Sequence, residues 1–251
     1  MPQDRRNFIR TAALGSAFAL SLPELVSAAV GEKKLKKISL SKNDVILFQG
    51  DSITDMGRNR SRKGANDNSG LGPGYPFVAA SQLLFKHPDK NLQIYNRGIS
   101  GNVVPQLAAR WDEDCLALKP TVLSILVGVN DYWHTLNGGS YKGTLQDYKE
   151  GYQKLLERTK KALPNVKLII GEPYAIVGVK AVDSSWFPTF TGYQQAAREL
   201  AANFDAVFIP YQHIYEKAIK SAPAKYWTKD GVHPDTAGDA LMANAILEVL
   251  K

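Results

Sequence analysis

The sequence of 251 residues predicts one three-layer α/β/α domain built on a five-stranded parallel sheet. Two observations carry this expectation. Five short apolar runs are each closed by Gly, Asn or Pro, and segments with apolar residues at helical spacing lie between them. The runs are continuously apolar rather than alternating, as strands are when helices cover both faces.

The runs occupy 45–48, 92–95, 121–127, 166–170 and 206–209. Helical spacing predicts helices over 77–85, 104–118, 148–163, 193–203, 214–219 and 237–250. The composition is 44% hydrophobic, 10% aromatic and 22% charged, which excludes a disordered chain, a collagen-like repeat and a disulfide scaffold. Cys115 is alone, so no intramolecular disulfide forms. Asp112, Glu113 and Asp114 just before it disfavour a thiolate, so a structural role is expected.

A formal net charge of +7 raises the question of a nucleic-acid partner. No recognition helix or RNA-binding motif accompanies it. Residues 1–28 have the layout of a twin-arginine-type export signal. Arg5 and Arg6 precede Phe8 and Ile9, then come an apolar run over 12–22 and the small-residue Val26-Ser27-Ala28. That run is too short to span a bilayer well, so no stable membrane anchor is expected, and export to the periplasm or the exterior is. Residues 29–43 form a lead-in with Lys33, Lys34, Lys36, Lys37 and Lys42 against Glu32, expected to be a solvated linker. The domain itself is placed at 44–251.

In open α/β sheets, ligands bind beyond the carboxyl ends of the strands. Four segments with chemical potential lie there or before the last helix. They are Gly50-Asp51-Ser52, the loop Gly98-Ile99-Ser100-Gly101, Gly128-Val129-Asn130-Asp131, and Asp230-Gly231-Val232-His233. A serine hydroxyl is a weak nucleophile and needs an adjacent base. His233 is the candidate base, and Asp230, three residues earlier, is placed to accept its Nδ1 proton and fix the tautomer. The oxyanion of acyl transfer needs preorganised donors. The Ser52 and Gly101 backbone N–H groups and the Asn130 side chain are candidates. Each segment alone is weak, since an Asp-Ser turn, an Asx turn or a surface Asp-x-x-His is common. Their joint order and placement are not.

These four blocks resemble those of the SGNH, or GDSL, hydrolase superfamily, and the resemblance covers the chain from about Val45 to its end. It implies Ser52 as nucleophile, His233 as base and Asp230 as its acid partner, with Gly101 and Asn130 as oxyanion donors. Gly98 stays open as an alternative to Gly101. It further implies a flavodoxin-like sheet in the order 2-1-3-4-5. Within the superfamily the sequence looks like the exported bacterial carbohydrate acetylesterases of the acetylxylan-esterase-like branch. Lipid esterases and thioesterases are the alternative of the same chemistry; a silent glycan-binding module is the alternative of another class.

Several residues are candidates for substrate contact: Asp55, Tyr75, Trp133, Trp186 and Trp227. Aromatic faces bind sugar rings, but they equally line acyl pockets or fill cores. Asp55 is also placed to pair with Arg58 and brace the nucleophile turn. The remaining histidines, His87, His134 and His213, are scattered and form no metal-ligand pattern. No metal and no cofactor are expected. The expected partner is an acetylated carbohydrate, with no nucleic acid; a homo-oligomer is left open.

Overall fold

Strand β1 (Val45–Gly50) is hydrogen-bonded on one side to β2 (Gln93–Asn96) and on the other to β3 (Val122–Leu126). Then follow β4 (Lys167–Gly171) and β5 (Val207–Ile209), giving an all-parallel sheet in the order β2-β1-β3-β4-β5. This computed structural model describes residues 36–136 and 139–251. The expected export signal and residues 29–35 of the lead-in lie outside the described residues.

Right-handed crossovers decide which face each helix covers. The chain leaves β1 in one direction to form β2, then returns past β1 to form β3, so the two crossovers fall on opposite faces. Helix α1 (Ser52–Asp55), α2 (Asn68–Leu71) and α3 (Tyr75–Lys86) belong to the first crossover. Helix α4 (Val104–Ala109) and α5 (Trp111–Asp114) belong to the second. After β3 come α6 (Val129–Trp133) and the long α7 (Leu145–Ala162), and after β4 comes α8 (Thr189–Asn203). Helices α4, α7 and α8 pack side by side on one face. The chain after β5 forms α9 (Tyr211–Ala218), α10 (Ala224–Trp227) and α11 (Thr236–Val249), and α11 packs against α3 on the other face. The expected three-layer architecture and strand order are both present.

Local chemistry explains the element ends. Thr144 caps α7 in a reciprocal box with Asp147, each satisfying the other's backbone N–H. The same helix buries Tyr148, Tyr152, Leu155, Leu156 and Thr159, a stripe at helical spacing. At the end of β1, a Cβ on Gly50 would stand 2.3 Å from the Leu126 carbonyl oxygen and 2.5 Å from Thr54 Oγ1. Only glycine lets the first turn of α1 fold this closely over β3.

Two expectations are corrected. The single helix over 104–118 is broken into α4, α5 and a 3₁₀ turn at Leu116–Leu118. The break falls at Arg110 (φ −108°, ψ 9°), whose side chain turns inward to the Gly50 and Arg97 carbonyls. The described part of the lead-in is not a free linker. Ile38 forms a parallel bridge with Leu250, Ile38 and Leu40 are buried, and Lys36 and Lys37 pair with Asp205 and Glu248.

Candidate active site

The C-terminal ends of β1, β2 and β3 bring three of the four segments together, and the turn before α11 supplies the fourth. Asp51 caps α1, its Oδ1 accepting the Ile53 N–H at 3.0 Å. Ser52 is therefore the first residue of the helix, and its hydroxyl faces the His233 ring. Ser52 Oγ lies 2.7 Å from His233 Nε2, and His233 Nδ1 lies 2.8 Å from Asp230 Oδ2. The other Asp230 oxygen accepts the backbone N–H groups of Val232 (2.9 Å) and His233 (2.8 Å).

The electrostatics follow from these bonds. Burial pushes the Asp230 carboxyl up, but the hydrogen bonds from the His233 ring and from two backbone N–H groups outweigh it and hold it at about 2. The Asp230 hydrogen bond in turn raises His233 above its ordinary value, against the opposing effect of its burial. With Asp230 ionised, Nδ1 carries the shared proton and Nε2 is free to accept from Ser52. A hydroxyl with a base at 2.7 Å, the base oriented by a carboxylate, is the arrangement that activates an oxygen nucleophile.

The two glycines of the second segment separate in the structure. The Gly98 N–H donates to Asn96 Oδ1 at 2.9 Å, and a Cβ on Gly98 would meet the backbone of α1 at 2.5 Å. Gly98 is thus a packing contact. Gly101 has φ +81°, and the nearest atom to a Cβ there would be His134 Cε1 at 3.9 Å. No acceptor for its N–H occurs among the described residues. Asn130 is buried and donates one side-chain N–H to the Asn102 carbonyl at 3.3 Å, which leaves the second for a ligand.

Of the five proposed contact residues, only Trp133 lies near the base and partly open, its ring centroid 6.2 Å from that of His233. Trp186 is buried behind it at 5.7 Å, within a cluster that includes Tyr132 and Phe190. Tyr75 is a correction: it is 1% exposed, stacks edge-on against Phe48, and its hydroxyl bonds Thr54 Oγ1 at 3.1 Å. Trp227 is a second: it is buried, and its indole N–H is satisfied by the Ala222 carbonyl. Asp55 is a third, being 1% exposed and engaged with Ser100, Arg58 and Arg60. In each case long-range packing consumes a side chain that the sequence places near the site. One contributor carried no such signal: Arg110 reaches the loop after β2 only through the fold, its Nε donating to Asn102 Oδ1 at 2.8 Å. Among the described residues, no group of three or more His, Cys, Asp or Glu side chains is placed to hold a metal ion.

Comparison with known proteins shows the family. Residues 48–241 match the GDSL-like lipase/acylhydrolase family, and the chain belongs to that family. It is a carboxylic ester hydrolase. Over 214 residues it is 32% identical to an acetylxylan esterase of Geobacillus stearothermophilus, covering 84% of this chain and 95% of that protein. A crystal structure of an acetylxylan esterase from the same organism superposes with a TM-score of 0.74 at 30% identity, covering 84% and 96% of the two chains. A crystal structure of a putative GDSL-like lipase from Parabacteroides merdae superposes with a TM-score of 0.82 at 48% identity, covering 85% and 98%.

Proposed function

We propose that the protein removes O-acetyl groups from carbohydrates by a Ser52-His233-Asp230 triad through an acetyl-enzyme. The observation that carries this reading is the unbroken chain of short hydrogen bonds from Ser52 Oγ through the imidazole to Asp230, at 2.7 and 2.8 Å. The resemblance to acetylxylan esterases supports the carbohydrate substrate. The half-buried Trp133 beside His233 supplies an aromatic face of the kind that sugars stack on.

In the first step His233 Nε2 takes the Ser52 proton as Oγ attacks the acetyl carbonyl. The oxyanion is met by the N–H groups of Ser52 and Gly101 and by the Asn130 amide. His233 then protonates the departing sugar oxygen, and the C–O bond to the sugar breaks. Water, deprotonated by the same imidazole, attacks the acetyl-enzyme, releases acetate and returns the proton to Ser52. Asp230 stays ionised throughout, stabilising the imidazolium.

The test is acetate release from acetylated xylo-oligosaccharides, with nitrophenyl esters from acetate to octanoate alongside. Turnover confined to acetyl substrates supports the reading. Activity that rises with acyl length overturns it in favour of a lipid esterase, and wild-type turnover by Ser52→Ala overturns the triad.

Export by the twin-arginine route is part of the same proposal and rests on Arg5 and Arg6 with the apolar run behind them. Fractionation of cells expressing the full chain tests it. Replacing both arginines by lysine should retain the protein inside, and undiminished export of that variant overturns it.

A further inference from the structure

An oxyanion donor works only if it is held in place before the reaction, because reorganising it during the reaction costs the rate it would otherwise supply. Gly101 is poorly suited to hold itself. It has no side chain, sits at φ +81°, and has only a distant His134 carbon beside it. The direction of its N–H must be set by its neighbours in the chain.

On the far side the neighbour is Asn102. Its side-chain oxygen accepts from Arg110 Nε at 2.8 Å, and its carbonyl accepts from Asn130. Arg110 also binds the Arg97 carbonyl at 2.7 Å and the Gly50 carbonyl at 3.2 Å. On the near side the neighbour is Ser100, and a single carboxylate holds it. Asp55 Oδ2 accepts the Ser100 N–H at 2.9 Å and the Ser100 hydroxyl at 2.7 Å, and also pairs with Arg60. Asp55 Oδ1 lies 3.7 Å from Arg58 Nε, which donates to the Gly98 carbonyl at 3.0 Å. Asp55 itself stands three residues after Ser52 on the same single turn, with its N–H bonded to the Asp51 carbonyl at 2.9 Å.

We infer that Asp55 is a positioning residue: by clamping Ser100 to the helix that carries Ser52, it holds the Gly101 N–H in register with the nucleophile. Arg60 and Arg58 are its counter-ions and keep the clamp charged, and charge-assisted bonds of this kind are the stronger sort. Burial opposes the charge on Asp55, but the bonds from Arg60 and Ser100 prevail and hold its carboxyl below the usual range. The inference rests on Ser52 as nucleophile and Gly101 as donor, as proposed above.

The experiment compares Asp55→Asn and Ser100→Ala with the wild type on an acetyl ester, and measures inhibition by phenylboronic acid, which mimics the tetrahedral intermediate. Both variants should lose kcat, roughly 10- to 10²-fold for Asp55→Asn and less for Ser100→Ala, with KM within about twofold of wild type. The boronate inhibition constant should rise in proportion to the fall in kcat/KM. Wild-type kcat in a folded Asp55→Asn overturns the inference. So does a rise in KM at constant kcat, which would mark direct substrate contact. If Asp55→Asn does not fold, Ser100→Ala decides alone, and wild-type kcat in it is equally fatal. Ser52→Ala and Asn130→Ala are run alongside. If those two keep activity, the reading of the site itself fails; if they lose it while Asp55→Asn does not, only the clamp fails.

Discussion

Asp230 holds His233 at two points: one carboxylate oxygen meets the ring Nδ1 at 2.8 Å, and the other takes the His233 backbone N–H at 2.8 Å. The three-residue spacing makes this possible, since the turn returns the chain to its own carboxylate. The imidazole is oriented before any substrate arrives.

In the proposed mechanism this pair sets the acid side of the pH profile: His233 has to be neutral to take the Ser52 proton, and Asp230 raises its pKa above the ordinary histidine value of about 6.5. The rate should therefore rise with pH through a midpoint above that value. Asp230→Asn should shift the midpoint to lower pH and cut kcat by about 10⁴-fold, because the amide neither favours the imidazolium nor selects the tautomer. A kcat/KM profile from pH 5 to 9 for both proteins checks this.

In the proposed mechanism the second side-chain N–H of Asn130 meets the developing oxyanion. Asn130→Ala should lower kcat by roughly 10²–10³-fold with little change in KM. Steady-state kinetics on an acetyl ester separate the two parameters. A rise in KM alone would assign Asn130 to ground-state binding instead.

Glu172, at the end of β4, is buried, and burial pushes its carboxyl up to about 7 despite the attraction of Arg198. The folded state thus binds the proton more tightly than the unfolded state does. Native stability attributable to this group is full below its unfolded value near 4.5 and declines as pH rises to about 7. Glu172→Gln mimics the protonated form, so its melting temperature relative to wild type should increase between pH 5 and pH 8. Thermal melts at both values test the sign.

The lead-in should contribute to stability rather than merely tether the domain. Ile38 and Leu40 are buried, and beside the end of α11 the Ile38 N–H donates to the Val249 carbonyl, the Lys251 N–H to the Ile38 carbonyl and the Leu40 N–H to the Lys251 carbonyl. A buried aliphatic side chain contributes on the order of 1.5–3 kcal/mol. Ile38→Asp should lower the melting temperature measurably, whereas deletion of residues 1–28 should not. Calorimetry on the two variants distinguishes them.

Much of the fold and the centre of the candidate site were legible in the sequence, and the reason is local. Strands on a doubly covered sheet must be continuously apolar, and turns at their ends must use Gly, Asn or Pro. The runs ending at Gly50, Asn96, Gly128, Gly171 and Pro210 therefore marked β1 to β5 and the rim where Ser52, Gly101, Asn130 and His233 stand. Asp230 and His233 were legible because three residues of turn suffice to join them. What tertiary structure alone decided is which polar and aromatic side chains the packing consumes. Tyr75 and Trp227 went into the core, Trp186 behind Trp133, and Asp55 beneath Ser100, 45 residues away in sequence. The separate fates of Gly98 and Gly101 were decided in the same way. Both sit in one glycine-bearing loop, and the approach of α1 to Gly98 and the bond of its N–H to Asn96 Oδ1 distinguish them. Hydropathy pattern reports which face of an element is covered; it carries no information on which distant partner does the covering, and that partner determines whether a carboxylate meets substrate or braces the site.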